Sequence, residues 1–476
     1  MALISPTNLL TLHHTSADQI RDLQDVPSRR YNHVNDSYPD EQPLRIPDPA
    51  IFTDLPVEDQ GNTLPRTAQC ATHLEMLEVF HAYRNEIIAS PELDEAFSIA
   101  AQPQIKYRKK WNGREFVAEA VSIRDPDFEE RRKQKWTFIL RIAALRFCEW
   151  IHVIDYHLKN AEFNPDVSIP RYLLLPPLDI LIIWHAFLLN CNDFKNYCER
   201  GNLSHIQDIE FPWADIHVSI DSSTWTYTLP DSHAEWLSNT NIAPEITTAI
   251  IQSTSSSHET KILLSKFDHY RDIPNGNHDP LFQTLRTARS YQSTITQLVS
   301  NVERQCIFID KMHAHRWIRS PAVHGTLTRA VKRYNNFLHL FRLYPSTFFV
   351  PTLDVDLVWH THQLSASIYR SFVVDRVGKF INHEDKIGRG TLDTGFSSAE
   401  TLYRLRFGEQ YRVCLCWGCE GILDAVENVD EDDLDEGKVD LNELAQGVEK
   451  RVHYYREMEI TRCLGGQLPI WSHGLR

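Results

Sequence analysis

Val350-Pro-Thr-Leu-Asp-Val-Asp-Leu-Val-Trp-His-Thr-His362 is the stretch whose reading decides the fold. Pro351 stands just before a helical run, Thr352 occupies an N-cap position, and Asp354 and Asp356 fall in the first turn, where the helix dipole favours negative charge. The chain contains the stretch twice. Pro176-Pro-Leu-Asp-Ile-Leu-Ile-Ile-Trp-His-Ala-Phe187 repeats it 175 residues earlier, so that Asp179 matches Asp354, Trp184 matches Trp359 and His185 matches His360. Two positions change character: Leu181 becomes Asp356, and Phe187 becomes His362.

The helix before each copy repeats as well. Residues 128–158 carry a broad apolar face through Trp136, Ile139, Leu140, Ile142, Ala143, Phe147 and Trp150. Within it, Ala143-x-x-Arg146-Phe147-x-x-Trp150 matches Ala330-x-x-Arg333-Tyr334-x-x-Phe337. Two helix patterns in the same order predict a mainly α protein made of two diverged copies of a helical unit, with minor β content between them. The expected order is a disordered polar arm over 1–70, a first helical repeat over 71–204, and a linker with short strands or loops over 205–280. A second repeat with the WHTH motif and a cysteine cluster follows over 281–423, then an acidic linker over 424–442 and a C-terminal helix and tail over 443–476. That helix is expected to dock back through Leu444, Val448 and Tyr455.

The totals narrow the function. The 476 residues carry a net charge of −15, which argues against a general nucleic-acid-binding face, and the basic run Lys106–Trp111 reads as a solvated face. No apolar run approaches the roughly 18 residues of a membrane helix, and the start lacks the pattern of a signal peptide. Nine cysteines, an odd number and mostly scattered, fit reduced thiols in a cytosolic or nuclear protein.

The candidate site residues lie in the second repeat. Asp356 and His360, four apart, share a helix face, which suits a carboxylate orienting an imidazole or two ligands on one metal. His362 lies about 200° round the wheel from His360, with Val355 and Val358, so a regular helix cannot aim both imidazoles at one ion. A buried imidazole there needs a hydrogen-bond partner or a metal. Cys414, Cys416 and Cys419 lie within six residues, beside Gly418 and Gly421. Thiolates are soft zinc ligands, so Cys416 and Cys419 are expected to share a zinc ion, with His383 as the first choice of further donor, His362 the second, and Cys463 a weaker one. The bland alternative is that the cysteines simply pack beside Trp417.

No GxGxxG, Walker loop, HExxH or GxSxG is present. A nucleophilic Cys416 or Cys419 paired with His360, and an iron site from Asp356, His360 and His362, remain as weaker enzyme readings. The leading reading is an intracellular binding or scaffold protein, open to a protein partner, with a structural zinc. Its alternative is a metal-dependent enzyme with a His/Asp/Cys site.

Several motifs together carry a family resemblance. The WHTH stretch, Arg304-Gln-Cys-Ile-Phe-Ile-Asp-Lys-Met312, Trp317-Ile-Arg-Ser-Pro321, Phe380-Ile-Asn-His-Glu-Asp-Lys-Ile387 and Cys414-Leu-Cys-Trp-Gly-Cys-Glu420 resemble the glycine-rich-domain-containing-protein-like family of plants and fungi. The resemblance runs from about residue 70 to 423. It implies a family and hardly any chemistry. Plant members of that family have a glycine-rich C-terminal region and have been connected with development and RNA; this chain has only 17 glycines and an acidic segment instead.

Overall fold

The computed structural model describes residues 46–55, 63–163, 175–240, 242–256, 288–383, 389–429 and 439–464. In chain order the helices and strands are α1 (Thr67–Ala89), α2 (Pro91–Ala96), β1 (Gln104–Trp111), β2 (Phe116–Ile123), α3 (Phe128–Phe163), α4 (Leu178–Leu188), α5 (Cys191–Gly201), α6 (Ser204–Gln207), α7 (Trp213–Ser219), β3 (Ile220–Asp221) and β4 (Thr226–Tyr227). They continue with α8 (Asp231–Asn239), α9 (Ile246–Ser256), α10 (Gln292–His315), α11 (Val323–Leu343), α12 (Leu353–Gln363), α13 (Ala366–Val377), α14 (Arg389–Phe407), α15 (Trp417–Glu427) and α16 (Leu441–Cys463). The protein is mainly α-helical, and its described β structure is two antiparallel or short two-stranded sheets, β1–β2 and β3–β4.

The stretch read as linker and strands is largely helical where it is described, through α7, α8 and α9, with β3 and β4 only two residues each. Residues 1–45 and 56–62 of the arm, 257–280 of the linker and 430–438 of the acidic linker lie outside the described residues. Where the arm is described it carries secondary structure: Asp48 caps a 3-10 turn over Pro49–Phe52, and α1 begins at Thr67.

The chain divides into two compact units. One, here the WHAF unit, comprises Phe80–Gln207 and Tyr227–Cys306; the other, the WHTH unit, comprises Met1–Val79, Asp208–Thr226 and Ile307–Arg476.

In the WHAF unit, α3 packs on α4. All but the first residue of α4 are buried, because its apolar residues run all round the helix. Arg146 of α3 reaches Asp179 in the first turn of α4, Nε to Oδ2 2.9 Å, and donates to the Ala243 carbonyl. Trp150 meets Trp184 at 5.3 Å, and Phe187 lies among Phe147, Phe194 and Tyr197 at 5.9, 5.4 and 5.5 Å. The unit also carries the β1–β2 hairpin. Asn112 Oδ1 accepts from the amides of Arg114 and Glu115, and Gly113 takes the positive φ that this turn requires.

In the WHTH unit, α11 packs on α12 in the same way. Arg333 Nε reaches Asp354 Oδ2 at 2.6 Å and its guanidinium also donates to the Gln410 and Tyr411 carbonyls. Phe337 meets Trp359 at 5.7 Å. His362 lies among Tyr334, Tyr369 and Phe372 at 5.8, 5.2 and 5.1 Å. The helices α4 and α12 are both 11 residues long, and the register of 175 extends past them: Phe194 matches Tyr369 and Tyr197 matches Phe372. Thr352 does sit at the N-cap of α12 but forms no capping bond; its hydroxyl accepts from Arg333 instead.

The C-terminal helix α16 packs on α15. Val452, Tyr455 and Met458 are buried, and Gly421 of α15 lets Val448 come close: a Cβ at 421 would lie 2.8 Å from Val448 Cγ1.

Candidate metal centres

Among the described residues, two groups of metal-ligating side chains gather in the WHTH unit, and their membership differs from the sequence expectation. Asp356, His360 and His383 form one; Cys414, Cys416 and Cys419 form the other. Within each, every ligand atom lies within 4.8 Å of the others. Either group could hold a metal ion.

The first group grows from α12. Asp356 and His360 are one turn apart, and their facing atoms, Oδ1 and Nε2, are 3.5 Å apart. His383 arrives from the segment after α13, with its Nε2 3.2 Å from His360 Nε2 and 3.2 Å from Asp356 Oδ1. That segment is fixed by a relay that starts on α12 itself. The Trp359 indole donates to the Tyr369 hydroxyl at 2.8 Å, and this hydroxyl donates to the Ile381 carbonyl at 2.6 Å, two residues before His383. Trp359 also lies edge-on to the His383 ring at 4.9 Å, while Phe308 of α10 covers His360 at 4.4 Å.

His360 is 2% exposed, against 14% for His383 and 21% for Asp356, so the group has a covered side and an open side. Burial by itself would raise the Asp356 carboxyl, but the two imidazoles and Lys311 outweigh it and hold the group below the usual carboxylate range.

His383 thus stands with Asp356 and His360, not with the thiols, and His362 joins neither group. His362 is 3% exposed; its Nδ1 is 3.0 Å from the Tyr334 hydroxyl, and its Nε2 is buried with no hydrogen-bond partner among the described residues. Burial pushes this imidazole down to about 3, which leaves it neutral.

The thiol group forms where the chain enters α15. Cys416 is the N-cap residue, its Sγ accepting from the Cys419 amide at 3.5 Å. Two indoles pin the loop: Trp317 donates to the Leu415 carbonyl at 2.9 Å, and Trp417 to the His315 carbonyl at 2.8 Å. The thiols are graded in exposure, with Cys419 buried, Cys416 half-buried and Cys414 exposed. Hydrogen bonds from Cys414 and Cys419 hold Cys416 well below the ordinary thiol range and push those two donors up. The Cys416 charge reaches the His315 imidazole, opposing the burial that depresses it. His315 escaped the sequence reading. Its neighbour in the fold is set by the Trp417 bond, and nothing in local spacing points to it. Cys463, the weaker expected donor, is exposed on α16, within reach of Arg316, Arg462 and Glu459 and outside the thiol group.

A cavity of about 450 Å³ lies elsewhere in the WHTH unit, lined in part by Phe52, Glu75, His217, Arg319, Glu459 and Arg462. Its polar groups already face one another: His217 Nδ1 is 2.7 Å from Glu75, and Arg319 Nε is 3.4 Å from Glu459 Oε2. Among the described residues no helix is long and apolar enough to cross a membrane.

Residues 238–371 match the family model described as "Glycine-rich domain-containing protein-like". That range includes α10, α11 and α12, with Asp356 and His360, and stops short of His383 and the thiols. Glycine-rich domain-containing protein 1 of Arabidopsis thaliana is 29% identical over 264 residues, which cover 52% of this chain and 27% of that protein. Glycine-rich domain-containing protein 2 of the same plant is 26% identical over 263 residues, covering 53% and 28%. The chain therefore spans little more than a quarter of the length of these curated relatives. No solved structure matches it. Through residues 238–371, which hold its WHTH helix, the chain is similar to the glycine-rich-domain-containing-protein-like family.

Proposed function

We propose that this chain is an intracellular binding protein whose WHTH unit is stapled by a structural zinc ion on Cys414, Cys416 and Cys419. The observation that carries the reading is the convergence of three sulfurs within 4.8 Å on a loop held by two indole hydrogen bonds. Zinc bound at about 2.3 Å from each sulfur sets tetrahedral sulfur pairs about 3.8 Å apart, which lies inside the 4.8 Å that bounds these thiols. The fourth position would fall to water or to a donor outside the group. Such an ion would tie the start of α15 to the loop that leads into it, and a reducing interior would keep the thiols available as ligands.

The binding role draws support from the β1–β2 hairpin. Ile105, Tyr107, Trp111 and Phe116 are 66, 73, 55 and 67% exposed, and apolar surface of this kind is what protein interfaces use. The matched Arg–Asp and aromatic contacts support descent of the two helical hairpins from one duplicated unit. Metal analysis of the purified chain tests the zinc: wild type should carry it, and Cys416→Ser with Cys419→Ser should lose one ion per chain. Wild-type protein without stoichiometric zinc would return the cysteines to packing. The second reading, a metal-dependent enzyme, is favoured by the open side of the Asp356–His360–His383 group.

A further inference from the structure

Asp356, His360 and His383 present three ligand atoms at the corners of a triangle with sides of 3.2, 3.2 and 3.5 Å. Metal–ligand bonds of about 2.1 Å set neighbouring donors about 3.4 Å apart in a tetrahedron and about 3.0 Å apart at right angles, so the triangle has the size of one face of a coordination shell. Hydrogen bonds do not explain it as well. Each neutral imidazole Nε2 offers either one hydrogen or one lone pair, and a straight N–H bond lies along one edge only. A cation above the triangle is reached by all three lone pairs together.

The two units differ at the residues that build this triangle. The α4 helix has the Trp–His pair but Leu181 in place of Asp356, and the following helix has Phe194 in place of Tyr369. The differences thus supply a ligand and the hydroxyl that positions a ligand. The Trp359–Tyr369–Ile381 relay fixes His383 before any ion arrives, as outer-shell hydrogen bonds do at metal sites. Lys311, one turn from the Phe308 that covers His360, is near enough for its positive charge to act on Asp356.

We propose that Asp356 Oδ1, His360 Nε2 and His383 Nε2 bind one divalent first-row transition metal ion, whose remaining positions are open to water or to an anionic oxygen ligand. One carboxylate and two imidazoles suit Fe²⁺, Co²⁺ or Zn²⁺, and three protein donors are the number that leaves a metal able to take an exogenous ligand. This centre is separate from the thiol zinc, and the two stand or fall independently.

Co²⁺ titration of the full, metal-free chain distinguishes them, because thiolate ligands give an intense charge-transfer band that oxygen and nitrogen ligands do not. With Cys414, Cys416 and Cys419 all changed to serine, one Co²⁺ should still bind, with weak visible bands alone. Adding His383→Ala should weaken that binding on the order of 100-fold or more, and Asp356→Leu, which installs the residue of the matched helix, should do the same with helicity retained. Tyr369→Phe should weaken it roughly 10-fold while leaving the stoichiometry at one. Co²⁺ binding to the triple-serine chain that is absent, or unaffected by both His383→Ala and Asp356→Leu, overturns the proposal whatever happens at the thiols.

Discussion

The helices α4 and α12 are built on one frame and filled differently. Each begins with an aspartate that receives a buried arginine from the helix before it, and each sets its tryptophan on an aromatic ring of that helix. Each also puts the residue three after the tryptophan into a nest of three rings. Among the differences, three matched pairs, Leu181/Asp356, Phe187/His362 and Phe194/Tyr369, give the WHTH unit the polar member, while Tyr197/Phe372 goes the other way. A shared frame therefore shows which residues hold the hairpin, and the departures from it show which residues do something else. The Trp–His pair, the most conspicuous feature of the sequence, belongs partly to the frame; the aspartate one turn before His360 is what sets the second helix apart.

The largest effects should fall on the frame. Asp179→Ala and Asp354→Ala each strand a buried guanidinium and should cost about 3–5 kcal/mol in denaturant unfolding of the unit that carries them. A cost for one less than half that for the other would break the equivalence of the two hairpins. Tyr369→Phe takes the partner from the Trp359 indole and the Ile381 carbonyl and should cost about 1–3 kcal/mol. His362→Phe exchanges one hydrogen bond for the removal of a partnerless buried nitrogen. Its stability should fall by about 1–2 kcal/mol, the cost of fitting a larger ring into a closed site. Metal binding by the WHTH unit should be unchanged, and its loss would put His362 back among the ligands. The smallest change in stability belongs to Asp356→Leu, about 0.3–1 kcal/mol for the lost helix-dipole interaction, read as a shift in thermal midpoint.

The helices and their pairing were legible because they are local. The repeated Asp–x4–Trp-His spacing and the Arg-aromatic-x-x-aromatic pattern before it carry their own period, and the contacts they make join neighbouring helices. The partner of Asp356 and His360 was not legible in the same way. Among 23 histidines, only the path of the chain after α13, set by the Tyr369 hydroxyl, brings His383 to them. The β1–β2 hairpin escaped for the opposite reason. All eight residues of β1 are exposed, so no alternation of buried and solvent-facing positions marks the strand, and Lys106–Trp111 reads simply as a charged run.

The hydrogen at Gly421 has a reach far beyond its size. Val448 sits where a methyl group would have to go, and a valine methyl is a short, stiff obstacle that cannot swing aside. Eleven residues along α16 from this contact, about 16 Å at the rise of a helix, Glu459 holds Arg316, Arg319 and Arg462 together. Gly421→Ala would act as a wedge under a rigid beam. The tilt it imposes at the contact would be magnified at the far end, so that one added carbon on α15 would be felt by three arginines that it never touches.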